Sequence, residues 1–275
     1  MNTENEIKIP SDEAYPIINL IFERNIFKAS EIDYRSLTIT CLDLISKNRI
    51  AVNIDEEIKA KKINKHPIIK TKSYLKKELE IMECIEFTIN SKHMKELANV
   101  EKTVLNMFKN INKSHTFNLK SMYEKMLNKK IAIKFNEAFQ EYVKSLKREG
   151  KISDNEFKDI VEEGMFTFKG NELSNEWKKF KKTLKSKDFI EGKSDESLDI
   201  ILLYGKCFEI DGAIISNIEK SKEDYDSDLY KFLKVNGAEL LDLIFNAGII
   251  NSKVERKGDG SIPVGNSKYF VPGFG

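Results

Sequence analysis

The chain has 275 residues, 40% of them hydrophobic and 33% charged, which is too apolar for a disordered polymer and long enough for two or three small globular units. Lysines and arginines number 46 against 44 acids, so the net charge is +2, no polyanion partner follows from overall charge, and any basic patch is local. Three scattered cysteines, Cys41, Cys84 and Cys207, sit among apolar residues and fit a reducing compartment, while His66, His93 and His115 stand at no metal-ligand spacing, so no cofactor is expected.

The opening "MNTENEIKIPSDEAYP" is polar and lacks the apolar stretch of a signal peptide. The longest apolar runs, "DIILLYG" and "LLDLIFNAGII", fall far short of the ~20 residues of a membrane-spanning helix. A chain that folds in water, on the cytoplasmic side, is therefore expected.

Taken in order, "SDEAYPIINLIFE" predicts a first helix with Ser11 as N-cap, and Pro16 is tolerable only inside its first turn. "IDYRSLTITCLDLISKNRIAVNI" predicts a helix with Leu37, Cys41, Leu44 and Ile45 on one face, stopped near Asn48, and then a strand. "ECIEFTINS" alternates like a returning strand. Helices followed by two strands are the order of a winged helix, assigned to residues 1–95. The lysine-rich segment between the strands, with Lys59, Lys61, Lys62, Lys65, Lys70 and Lys72, would be an enlarged wing.

The pattern then begins again over residues 96–168. "ELANVEKTVLNMFKNI" places Leu97, Val104, Leu105 and Phe108 on one face, and "FNLKSMYEKML" reads as a short helix. The long "KIAIKFNEAFQEYVKSLKREG" carries a stripe of Ile131, Phe135, Ala138, Phe139, Tyr142 and Leu146. Residues 169–275 read as a helical domain with a glycine- and proline-containing tail. The expected class is α+β, predominantly helical, with tandem winged-helix-like units followed by that domain.

The only tryptophan lies in "FKGNELSNEWKKFKKTLKSKD". On a helix Leu173, Trp177, Phe180 and Leu184 share one narrow face, with Lys178, Lys179, Lys181, Lys182 and Lys185 spread over the other. A buried tryptophan with a solvated lysine side is the plain reading, and replacing all five lysines by glutamine should then leave folding intact. A helix lying on anionic lipid or phosphate is the alternative, with Glu172 and Glu176 offsetting part of the charge.

These residues also resemble a family. "FKGNELSNEWKKFKKTL" is similar to the turn and "WxxFxxyL" helix of the YciQ-like predicted membrane proteins, and "ILLYGKCFEIDGAIISNIEK" to their "lpYAiALGv" helix. "LTITCLDLISKNRIAV" resembles their "tatLlDLaxrGyi" winged-helix segment, and "LANVEKTVLNMF" their "Lsxxekxll" helix. Family members carry membrane spans where this chain has only the short, charged "KISDNEFKDIVEEGMFT". The resemblance therefore implies the cytoplasmic portion of such a protein, and it carries no catalytic residue.

Three function classes follow. A non-catalytic interaction module would meet an unidentified protein partner or the inner face of an anionic membrane through the lysine sets. A winged-helix nucleic-acid binder would present "RSLTITCLDLISKN", whose face opposite the core would be Ser36, Thr40, Asp43 and Lys47, without the Arg, Asn or Gln that read bases. An enzyme finds no support: no GxGxxG, phosphate loop, HExxH or GxSxG is present. "EDYDSD" reads as a helix cap through Ser227 or Asp228, and Cys207 beside Lys206 as a packed thiol.

Overall fold

The computed structural model describes residues 7–25, 32–55, 72–90, 97–149, 161–162, 165–222 and 224–253. Helix α1 (Tyr15–Ile18) continues as a π-helical turn over Asn19–Glu23. It is capped by Ala14, not by Ser11. A helix begun after Ser11 would put Pro16 beyond the first turn, where its missing N–H would break the ladder; starting at Tyr15 keeps the proline where no donor is needed.

Helix α2 (Tyr34–Ser46) opens on Asp33, whose carboxylate accepts from the Arg35 amide at 3.0 Å. Past its C-terminus the chain turns at Asn48 with φ +53°, the left-handed conformation that asparagine tolerates. Strand β1 (Ile50–Ile54) follows, then α3 (Lys72–Glu83) and β2 (Ile85–Ile89). The two strands pair antiparallel, Ile50 opposite Ile89 and Ile54 opposite Ile85, so every second residue faces the core. Of the expected wing, Lys59, Lys61, Lys62, Lys65 and Lys70 lie outside the described residues, and Lys72 opens α3.

Next come α4 (Asn99–Asn112), β3 (Thr116–Asn118), α5 (Leu119–Leu127) and α6 (Lys129–Glu149). Strand β3 joins the far edge of β2, bringing Phe117 opposite Phe87. One three-stranded antiparallel sheet, in the order β1-β2-β3, thus draws strands from both N-terminal segments. A short hairpin, β4 (Val161–Glu162) with β5 (Met165–Phe166), precedes α7 (Phe168–Leu184) and α8 (Lys187–Ile190). The remainder is α9 (Asp195–Cys207), α10 (Asp211–Ser221), α11 (Asp228–Lys234) and α12 (Gly237–Lys253).

The described chain is therefore predominantly helical with one small antiparallel sheet. Its buried apolar side chains form a continuous cluster that runs through all three expected segments. Helix α12 packs on α6, α5 and α2, and its Phe245 stacks on Phe135 and Phe108 at 5.8 and 6.2 Å. Gly248 permits this approach, since a Cβ there would stand 2.5 Å from the Phe135 ring. Asp228 accepts from the Val52 amide at 3.0 Å, covering part of the open edge of β1 with the start of α11.

Helix α2 lies at the centre of this packing, touched by α1, α4, α9, α11, α12 and β1. Every residue from Ser36 to Ile45 is buried. The face expected to stand opposite the core is thus part of the interior at Ser36, Thr40 and Asp43, and only Lys47 is exposed. Small hydroxyls make this affordable, because Thr40 bonds back to the Ser36 carbonyl at 3.0 Å and across to the Tyr142 hydroxyl at 2.9 Å.

A basic helix face and an acidic cleft

Thr167 caps α7, accepting from the Gly170 amide at 3.0 Å. Trp177, Phe180 and Leu184 are buried and Leu173 is half-buried, with Gly170 and Ser174 widening the inward face. Trp177 is 1% exposed, and its ring lies 5.6 to 5.9 Å from those of Phe22, Phe180, Tyr204 and Phe208. An aromatic cage of this kind joins α1, α7 and α9 through apolar area and edge-to-face contacts.

The five lysines divide. Lys178, Lys179, Lys182 and Lys185 are exposed, and none of them meets a carboxylate within ion-pair distance among the described residues. Lys181 instead donates to both Glu23 oxygens, at 2.7 and 2.8 Å, and its ammonium lies 5.8 Å from the centre of the Phe208 ring. It stitches α7 to α1 and is not part of the solvated set. Glu172 and Glu176 are exposed beside the four free lysines. At the start of the helix Phe168 is 81% exposed and, just before it, Met165 is 68% exposed.

A second feature follows from the burial of α2. Asp43 is 9% exposed and accepts from the Lys47 ammonium at 2.8 Å, while the same ammonium donates to Glu101 at 3.0 Å. The other Glu101 oxygen accepts from the Ala98 amide at 2.7 Å, closing the first turn of α4. Burial raises the Asp43 carboxyl above its ordinary range; Lys47 opposes this and Glu101 adds to it. For Lys47, burial acts to lower the ammonium's pKa, but Asp43 and Glu101 outweigh it and the net direction is upward. These groups line a cavity of about 420 Å³ between the segment before α1, α2, α4 and Tyr204 of α9.

The remaining candidates have structural partners. Ser227 caps α11 through the Tyr230 amide at 3.0 Å, and both Ser227 and Tyr225 donate to Asp199. Among the described residues no group of three ligand-type side chains is placed to hold a metal ion. Lys206, the neighbour of Cys207 in the chain, turns its ammonium to Glu239 at 2.9 Å. Burial pushes the Cys207 thiol well up, and Lys206 offsets little of that.

The sequence missed the cleft. Its signal was present as the 36, 40, 43, 47 spacing, one side of a helix, with Glu101 three residues after Ala98; the error was to place that side in water. In comparisons with known proteins, no family model, no curated protein and no solved structure matches the chain. Among the described residues no helix is long and apolar enough to cross a membrane.

Proposed function

We propose that this protein is a non-catalytic interaction module that lies against an anionic membrane face through α7. The observation that carries this reading is the sharing of one solvent face of α7 by Lys179, Lys182 and the bare side chain of Phe168. Phe168, Lys179 and Lys182 recur at nearly whole helical turns, and Phe168 and Met165 are the most exposed large apolar side chains among the described residues. Each lysine near an anionic leaflet contributes about 1 kcal/mol. Burying an exposed phenylalanine or methionine contributes about 1.5–3 kcal/mol more. The resemblance to the cytoplasmic portion of YciQ-like membrane proteins supports the same placement, inside the cell and beside a bilayer.

Nucleic-acid binding is the runner-up. The winged-helix reading of the N-terminal segments rests on the helix order and on the antiparallel β1 and β2 pair. Its functional consequence, a helix offered to a major groove, does not transfer to α2, whose sides are buried. Phosphate contact by the lysines of α7 would be left, without base readout.

Sedimentation with vesicles tests the proposal. The protein should pellet with phosphatidylserine-rich vesicles and not with pure phosphatidylcholine, and the quadruple change of Lys178, Lys179, Lys182 and Lys185 to glutamine should weaken this by at least about tenfold. Phe168→Ser should weaken it further. No vesicle binding, together with duplex DNA binding that survives near-physiological salt, would overturn the membrane reading in favour of nucleic acid.

A further inference from the structure

We infer that α7 and the hairpin before it select strongly curved, loosely packed anionic bilayers over flat ones, with Met165 and Phe168 entering gaps between the headgroups. This rests on the membrane reading proposed above and names the kind of bilayer it takes.

The apolar side of α7 is not available to lipid. Trp177, Phe180 and Leu184 are buried in the protein's own core, so the helix cannot sink that side into a bilayer as a free amphipathic helix does. What can enter is confined to one end, where Met165 is 68% and Phe168 81% exposed. Their exposure is built into the fold. Phe166 stacks on Phe22 at 6.1 Å, so strand alternation turns Met165 outward. Phe168 stands nine residues before Trp177, about two and a half turns, and so on the opposite side of the helix. Turning Phe168 inward would draw Trp177 out of its aromatic cage. The junction of strand and helix is clamped as well: the Gly170 amide donates to Thr167 Oγ1 at 3.0 Å, and the Asn171 side-chain amide donates to the carbonyls of Phe166 and Thr167 at 3.3 and 3.1 Å.

Charge acts at the other end. Along the ridge that starts at Phe168, the next positions one turn apart are Glu172 and Glu176, both exposed, and an anionic leaflet repels them. The free lysines begin at Lys178, about 15 Å along the axis from Phe168, and end at Lys185, about 25 Å away. Electrostatic attraction therefore holds the C-terminal half of α7 and gives the N-terminal end no help. Entry of Met165 and Phe168 has to come from burial of their own apolar surface. Two side chains gain most where acyl chains already lie bare between headgroups, as on a strongly curved outer leaflet, and least where packed headgroups must first be parted.

The test is flotation of the full chain with vesicles of one mixture of phosphatidylserine and phosphatidylcholine, prepared at ~30 nm and ~200 nm diameter and compared at equal outer-leaflet lipid. The small vesicles should be bound at least about tenfold more tightly. Met165→Ser combined with Phe168→Ser, both at exposed positions, should abolish that ratio at unchanged melting temperature and leave a weaker, salt-sensitive binding to both sizes. The quadruple glutamine variant at Lys178, Lys179, Lys182 and Lys185 should weaken binding to both sizes and keep the ratio. Equal binding of the wild type to both sizes, or a ratio that survives in the double serine variant, would overturn the inference and leave the membrane reading in place. Binding to neither size would remove that reading and the inference with it.

Discussion

Helices α2 and α7 both carry polar side chains along one side, yet α2 has no wet face and α7 has a broad one. The difference lies in the kind of polar residue and in the neighbours supplied. Along α2 the polar positions are short hydroxyls: Thr38 and Thr40 bond to the helix itself and to Asp242 and Tyr142 across the interface, while the Ser36 hydroxyl is buried without a partner among the described residues. Along α7 they are lysines, whose charge keeps them in water unless a carboxylate is provided, as Glu23 is for Lys181. Polarity in a sequence therefore marks a need for partners, and water is only one source of them.

The largest test of this contrast is a lysine placed where α2 has a hydroxyl. Ser36→Lys should abolish folding, since it puts an ammonium at a fully buried position whose hydroxyl has no partner among the described residues, at a cost on the order of 5 kcal/mol; a retained circular-dichroism melt would show that this side of α2 is accessible after all. On α7, Trp177→Ala should cost about 4 kcal/mol in urea unfolding, because four ring contacts vanish at once.

Asp242 probes the far side of α2. It accepts from Thr38 at 2.5 Å, and burial pushes its carboxyl up to about 6 despite Thr38, Lys206 and Arg35, with Glu239 adding to the rise. The native state thus holds this proton more tightly than the unfolded chain does. Its contribution is fully present below about pH 4 and is lost as pH rises through about 6. Asp242→Asn should remove on the order of 2 kcal/mol of that pH dependence, measured as the wild-type-minus-variant difference in unfolding free energy between pH 4 and pH 7.

The smallest effects separate the lysines of α7. Lys181→Gln should cost about 1 kcal/mol through its doubly bonded pair with Glu23. The quadruple glutamine variant at Lys178, Lys179, Lys182 and Lys185 should stay within about 0.5 kcal/mol of wild type. A larger loss in the quadruple variant than in Lys181→Gln would reverse the assignment of the two faces.

Much of the local structure was legible in the chain. The alternation of "IAVNI" and "IEFTI", the stop at Asn48, the cap at Ser227 and the stripe along α6 each depend on residues within a few positions of one another. The start of α1 was misplaced because Ser11 is a good cap, while Pro16 limits how far the helix can extend backwards. The cleft was unreadable for another reason. Asp43, Glu101 and Tyr204 lie far apart in sequence, and only the packing of α2, α4 and α9 brings them to one cavity.

By itself, then, the sequence determined most of the helices, though not α3, which falls in the segment read as a wing, together with the strand pair and which side of α7 is apolar, because periodicity and capping are local physics. Tertiary structure alone decided that β3 completes the sheet, that α12 returns to α5 and α6, and that the polar side of α2 is interior. The physical reason is that a serine, threonine or aspartate is satisfied equally by water or by a distant hydroxyl or ammonium, and no local pattern records which one the fold supplies.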